Sequence, residues 1–213
     1  MRPKIILNCA ASADGKIALP NRRNLKLSNE QDFKRLHNLR NNCDAILVGI
    51  GTILEDNPSL TVSSGIKAGT NPTRIVLDTN FRTPSDAKVI NRKAKTIIAI
   101  GEKTVIGNKT NTEIIKCGID EIDIEKLLDE LGKRGIKSIL VEGGETVMWS
   151  FLEKELFDEF NVFISSMIIG GKSTPTIAGG EGVIDNHKPL KLRLVNSESL
   201  GDGVLLKYRK SKD

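Results

Sequence analysis

The stretch from Lys137 to Trp149, Lys-Ser-Ile-Leu-Val-Glu-Gly-Gly-Glu-Thr-Val-Met-Trp, constrains the fold more than any other. Ser138 to Val141 is a short apolar, β-branched run, Gly143 and Gly144 break it, and helix formers resume from Glu145. The pattern predicts a strand, a glycine turn and a helix over 145–156. Paired glycines carry no Cβ, so backbone N–H groups at a helix start can approach a phosphate closely. Two readings stay open for a lone Gly-Gly, a pyrophosphate seat and an ordinary strand-to-helix turn. Glu142 weighs towards the first. A carboxylate at the C-terminal end of a buried strand is costly unless something pairs with it, and open α/β sheets bind ligands along that edge.

The same alternation recurs along the chain. Lys4 to Cys9, Asp44 to Ile50, Thr73 to Asp78, Lys95 to Ile100 and Thr112 to Cys117 read as strands. Helical spacing appears over 29–41, behind a capping-box pattern of Ser28 with Gln31, and over 123–134, closed by Gly132 or Gly135. Strands with helices between them imply a mainly parallel sheet. Phe157 to Ile169 is a longer apolar, β-rich segment. Leu190 to Val195 and Gly203 to Tyr208, joined through Gly201-Asp202-Gly203, predict an antiparallel hairpin at the end. No linker or composition break divides the 213 residues, so 1–213 is read as one domain.

Several strand ends carry groups able to meet a ligand. Small residues from Asn8 to Lys16, with a turn at Asp14-Gly15, make a floor for a substrate, and Asn8 is polar inside an apolar strand. Its amide serves either a ligand or neighbouring backbone. Thr52 and Asp56 lie four apart behind Gly49 and Gly51, so one helical turn sets a hydroxyl and a carboxylate on one face; an N-cap and a solvated carboxylate are the alternative. Asp78 ends a strand and is followed by Thr79, Asn80, Phe81 and Arg82, a set suited to a ribose diol, to a ribose phosphate or to plain turn chemistry. The glycine-rich segment from Gly170 to Gly182 reads as a cover over a ligand or as a linker. His37 has no Cys or acidic partners at ligand spacing, so it reads as a surface or half-buried helix residue and no metal is expected.

Charge narrows the partners. The net charge is +5, yet 32 basic residues are interleaved with 27 acidic ones and aromatics make up 4%. That favours small anionic molecules over nucleic acid. Cys9, Cys43 and Cys117 have no metal-like spacing and sit in or beside apolar runs, as buried thiols of a reducing cytoplasm do. No apolar run approaches the roughly 18 residues of a membrane span, and the chain opens directly on a strand, so neither a membrane nor an export signal is expected.

Five blocks, Ala11-Ser-Ala-Asp-Gly-Lys16, Val48-Gly-Ile-Gly-Thr-Ile-Leu-Glu-Asp-Asn-Pro-Ser-Leu-Thr-Val62, Arg74-Ile-Val-Leu-Asp78, Leu140-Val-Glu-Gly-Gly144 and Ile168-Ile-Gly-Gly-Lys172, together resemble the riboflavin-pathway pyrimidine reductases. The resemblance covers nearly the whole chain. It implies an α/β fold like that of dihydrofolate reductase, with a central, mostly parallel twisted sheet flanked by helices, in a homodimer that uses NADPH, with NADH as the open alternative. The implied reaction reduces the ribosylamino group of a pyrimidinone 5′-phosphate to a ribitylamino group at C1′, and needs no metal. By the same resemblance Thr52, Asp56, Asp78, Thr79, Asn80, Phe81, Gly143, Gly144 and Glu145 contact the cofactor. Asn8, Asp14, Arg40, Leu60 and Glu142 face the substrate, and Glu142 and Asp56 are the catalytic carboxylates. Arg40 suits the 5′-phosphate because its planar fork binds such oxygens bidentately, and Glu142 either accepts ribose hydroxyls or steers a proton to the ring oxygen. Ser63 departs from the pattern, since two-domain bacterial relatives often have a basic residue there.

Which pyrimidine is reduced turns on Asn8. Bacterial relatives commonly carry a lysine at this place, which can only donate, whereas an asparagine also accepts and so suits an intact 2-amino group. The resemblance therefore implies 2,5-diamino-6-ribosylamino-4(3H)-pyrimidinone 5′-phosphate as substrate. A fused zinc deaminase is not expected, for the chain lacks the His-x-Glu and Pro-Cys-x-x-Cys pair. The competing readings are a reductase of the deaminated pyrimidine, a dihydrofolate reductase and a non-catalytic nucleotide-binding module.

Overall fold

Ile46, Leu47 and Val48 are completely buried although they are consecutive, as are Ile98, Ala99 and Ile100. Neighbouring strand residues point to opposite faces, so unbroken apolar runs of this kind mark strands covered on both sides. The structure is a computed structural model and describes residues 1–63, 65, 69–106, 112–184 and 188–211. Among these, nine strands make a mostly parallel sheet, accompanied by four α-helices and ending in an antiparallel hairpin. The residues fall into two compact units, each built from separated stretches of sequence.

One unit comprises Met1–Lys4 and His37–Leu140. Strands β2 (Ala45–Gly49), β3 (Thr73–Leu77), β4 (Thr96–Ile100) and β5 (Thr112–Lys116) run parallel in the order β5-β4-β3-β2. Ile46, Val48, Val76, Ile98 and Ile100 form a cluster with Ile50 and Ile53 of the short helix α2 (Ile50–Asp56), and Leu60 joins it. Helix α3 (Ile124–Lys133) starts on Asp123, whose side chain accepts from the Lys126 N–H, and buries Ile124, Leu127, Leu128 and Leu131. It is closed by Gly135 at φ +83°, with Ile136 N donating to Leu131 O and Gly135 N to Gly132 O, the paired bonds of a left-handed helix stop. Arg74 is fully buried in β3. Its guanidinium donates to the carbonyls of Lys88, Asn91 and Ala94, to Asn91 Oδ1 and to Thr96 Oγ1, fastening the 88–96 segment to the sheet.

The other unit comprises Ile5–Leu36 and Val141–Asp213. Here β1 (Lys4–Ala11) pairs parallel with β7 (Glu159–Ile164), which pairs antiparallel with β9 (Gly203–Lys210), and β9 with β8 (Leu192–Leu200). Helix α1 (Glu30–Asn41) passes from this unit to the first, and β6 (Ser138–Gly143) passes the other way into helix α4 (Glu145–Glu153).

Several boundaries differ from the sequence reading. Helix α1 is capped by Asn29, whose Oδ1 accepts from the Asp32 N–H at 2.9 Å, while Ser28 donates to Asp32 Oδ2 at 2.5 Å. The cap is therefore one residue later than the Ser28/Gln31 pattern. Helix α4 stops at Glu153, not at residue 156, because Glu155 takes a left-handed conformation at φ +52°. Strand β7 ends at Ile164, and the apolar residues beyond it, Met167 and Ile168, are exposed. Strand β8 continues to Leu200 through Asn196, Ser197 and Glu198, a polar run with no apolar alternation to reveal it.

Candidate active site

In the first unit β2 leads directly into helix α2, and β3 into a tightly held turn. Thr52 and Asp56 both lie in α2, which starts on Gly49 without any side-chain cap, so the N-cap alternative for Thr52 is not what forms. Thr52 is half-buried and Asp56 exposed. At the end of β3, Asp78 is fully buried. Its Oδ1 accepts from the Arg82 N–H at 2.9 Å, and its Oδ2 from the Thr83 N–H and hydroxyl, both at 2.7 Å. The carboxylate thus shapes the turn that displays Thr79, Asn80 and Phe81. Phe81 closes this turn at φ +55°, and the Thr79 carbonyl is held by Gly101 N at 3.0 Å and Thr104 Oγ1 at 2.7 Å.

Between α2 and β3 in the chain lies the strap 57–63, which carries Leu60. Leu60 is buried in the core cluster yet sits at φ +48°, a left-handed conformation that costs a branched side chain energy and persists only where surrounding contacts fix it. Arg40, in the last turn of α1, donates through Nη1 to the Thr61 carbonyl at 3.2 Å. His37 is buried, against the expectation of a surface or half-buried position, and its Nδ1 accepts from the Ser63 N–H at 2.9 Å.

In the second unit Asn8 is buried on β1. Its Oδ1 accepts from Arg35 Nη2 at 2.8 Å, and Arg35 in turn holds Asp32 Oδ1 through Nε at 2.8 Å and Nη2 at 2.7 Å. Arg35 orients the amide, a partnership that no spacing in the sequence announces. A carbonyl oxygen has two lone pairs, so one such bond leaves it able to accept another. The Cys9 thiol beside it is pushed up to about 12, first by burial, with nearby Arg35 partly opposing.

Asp14 follows the β1 end and anchors a distant loop. Ser12 Oγ donates to its Oδ1 at 2.6 Å, Ile169 N to Oδ1 at 3.1 Å and Gly170 N to Oδ2 at 2.7 Å. These bonds, led by that of Ser12, hold the carboxyl down at about 2.

Glu142 is half-buried at the penultimate position of β6. Gly143 adopts φ +110°, the Gly143–Gly144 peptide is cis, and Gly144 caps α4 without a side-chain hydrogen bond. A Cβ on Gly143 would meet nothing within 4 Å, so its conformation, and not crowding, calls for glycine. Glu145 turns back from the helix start. Its Oε2 accepts from Thr176 N at 3.1 Å and its Oε1 from Arg22 Nη2 at 3.0 Å, while Gly179 N donates to its backbone carbonyl at 3.2 Å. A Cβ on Gly179 would lie 2.7 Å from the Glu145 side chain, and one on Gly180 2.9 Å from Trp149. The glycine-rich segment is therefore packed on the first turns of α4 through Thr176, Gly179 and Gly180, as a free linker would not be.

The family model for the RibD C-terminal domain matches residues 3–206, which include every candidate residue named above. The chain belongs to the RibD C-terminal domain family. Within this family it is 39% identical, over 98% of either chain, to the 2,5-diamino-6-ribosylamino-4(3H)-pyrimidinone 5′-phosphate reductase of Methanothermobacter thermautotrophicus. It is 35% identical to the protein of the same name from Archaeoglobus fulgidus, over 98% of this chain and 99% of that one. Among solved structures it resembles the deaminase/reductase of Thermotoga maritima, with TM-score 0.82 and 31% identity, covering 99% of this chain and 57% of that chain. The likeness extends to fold alone for the riboflavin biosynthesis reductase of Saccharomyces cerevisiae, at TM-score 0.78 and 24% identity. The expected fold class, that of dihydrofolate reductase, is the one found.

Proposed function

We propose that this chain reduces 2,5-diamino-6-ribosylamino-4(3H)-pyrimidinone 5′-phosphate to the ribitylamino compound, with NADPH as reductant, in riboflavin biosynthesis. The observation that carries the reading is the end-to-end likeness to archaeal proteins of that name. The turn at Gly143–Glu145 fits a dinucleotide diphosphate, because no side chain caps α4 and the space beside Gly143 is open. NADPH supplies a hydride when bound, and reduction of an imine at C1′ of the opened sugar takes that hydride on carbon and one proton, from water, on nitrogen.

The residues then divide by task. Thr52, Asp56, the 78–81 turn and Gly143 to Glu145 hold the cofactor, Asp78 acting by shaping the turn. Asn8, Arg40 and Leu60 receive the pyrimidine phosphate, and Asp14 secures the loop at Ile169 and Gly170 that borders the substrate floor. Glu142 serves the sugar, accepting from ribose hydroxyls and steering the proton that the ring oxygen takes up as the sugar opens. Alignment of the reacting carbon is the main contribution of the protein. The active form is a cytoplasmic homodimer in this reading. Strand β8 suits a second copy, since it is exposed along nearly its whole length and presents Leu194 and Val195. No helix among the described residues is long and apolar enough to cross a membrane.

The deciding assay follows NADPH absorbance with the purified chain. Oxidation with the ribosylaminopyrimidine phosphate and none with dihydrofolate is expected. Turnover of dihydrofolate, or binding of both ligands without turnover, would overturn the reading.

A further inference from the structure

The strap 57–63 belongs to no helix or strand, so its backbone groups need other partners. Hydrogen bonds through side chains, its own and those of other segments, tie it along its length. Asn57 Oδ1 accepts from Lys88 N at 2.8 Å, the Ser59 carbonyl accepts from Arg74 at 3.4 Å, and Val62 N donates to Asn71 Oδ1 at 3.1 Å. Two of its residues, Asn57 at φ +42° and Leu60 at φ +48°, are left-handed without being glycine. Such a segment keeps its shape only while its ties hold. At its C-terminal end two further ties come from one face of α1, where Arg40 takes the Thr61 carbonyl and His37, three residues earlier, takes the Ser63 N–H. A backbone N–H can only donate, so His37 Nδ1 carries the lone pair.

We infer that His37 is a positioning residue of the reductase: by accepting the Ser63 N–H it fixes the end of the strap against Arg40 and so sets affinity for the pyrimidine phosphate, with no part in hydride transfer. The inference rests on the reading that Arg40 and Leu60 face that substrate. It also accounts for how a strap ending in Ser63, with no basic residue there, is kept in register with Arg40.

The test uses the full chain and four variants. His37→Phe and His37→Leu remove the acceptor, His37→Asn keeps an acceptor near the place of Nδ1, and Arg40→Met checks the underlying reading. The expected result is a KM for the pyrimidine phosphate raised roughly 5- to 20-fold by Phe or Leu, with kcat and the KM for NADPH within about twofold, and recovery to within about threefold in His37→Asn. Equal damage from Asn and Leu would overturn the inference, as would a fall in kcat alone. An unchanged KM in Arg40→Met would instead sink the substrate reading itself. Amide exchange gives a readout independent of activity: Ser63 N–H is expected to be protected in the wild type and in His37→Asn, and rapid exchange in both would contradict the tie.

Discussion

Arg35 Nη2 donates to Asn8 Oδ1 at 2.8 Å while the same guanidinium grips the buried Asp32. A lysine at position 8 would set an ammonium beside that guanidinium. Asn8→Lys is therefore expected to lower stability by about 2 kcal/mol, and Arg35→Gln, which by itself strips Asp32 of this partner, is expected to cost at least about 1 kcal/mol less when added to Asn8→Lys than in the wild type, the repulsion being relieved. Denaturant midpoints of the single and double variants measure this. Strict additivity would show that the two side chains do not meet. If the amide also sets substrate choice, Asn8→Lys narrows the preference in kcat/KM for the 2-amino pyrimidine over its deaminated counterpart.

The Asp14 carboxyl offers a pH test. Its ordinary value of 3.8 falls to about 2 through the bonds from Ser12, Ile169 and Gly170. A group depressed in the folded state stabilises fully above its unfolded value and loses that contribution as pH falls through the folded one. The tether to Ile169 and Gly170 should thus stay intact at pH 4 and release between about pH 4 and pH 2. Amide shifts of Gly170 followed by NMR report it. A midpoint near the ordinary value would mean that the bonds do not favour the ionised form.

Arg74 tests how much the sheet depends on one buried cation. Burial lowers its guanidinium to about 10, which leaves it charged at neutral pH. Arg74→Met fills similar volume but leaves the carbonyls of Lys88, Asn91 and Ala94 without this donor. A loss of about 3 kcal/mol or more is expected from calorimetry or denaturant unfolding. A loss below about 1 kcal/mol would indicate that water replaces the guanidinium at little cost.

Strands were legible wherever apolar residues ran unbroken, as at Ile46 to Val48, because burial on both faces leaves no other use for such a run. Boundaries failed where local chemistry decided them. Nothing apolar marks Asn196 to Glu198 as strand, and Met167 and Ile168 are apolar without being buried. The capping position moved from Ser28 to Asn29 because the two residues are equivalent in type and only geometry separates them. Blocks of contiguous sequence located the strap, the Asp78 turn and the glycine turn. The partners that fix them lie far along the chain, as Arg35 does from Asn8 and His37 from Ser63, and spacing carries no sign of such pairs. His37 gave one available clue, its place three residues before Arg40 on the same helix face.

Glu142→Gln keeps the size of the side chain and removes its charge. Far-ultraviolet dichroism and melting should be unchanged, while kcat/KM falls by roughly 10² or more, as loss of one transition-state contact costs about 3 kcal/mol. Unaltered kinetics would remove Glu142 from the site.

The proposed reaction passes a hydride from the nicotinamide to C1′ of the pyrimidine's sugar. NADPH deuterated at C4 in each of its two stereochemical forms puts this to the test, the product of a single complete turnover being examined by mass spectrometry and NMR. One of the two forms is expected to yield a ribitylamino product carrying one deuterium, located at C1′, and the other none. Product without deuterium from both forms, or deuterium at any other carbon, would contradict it.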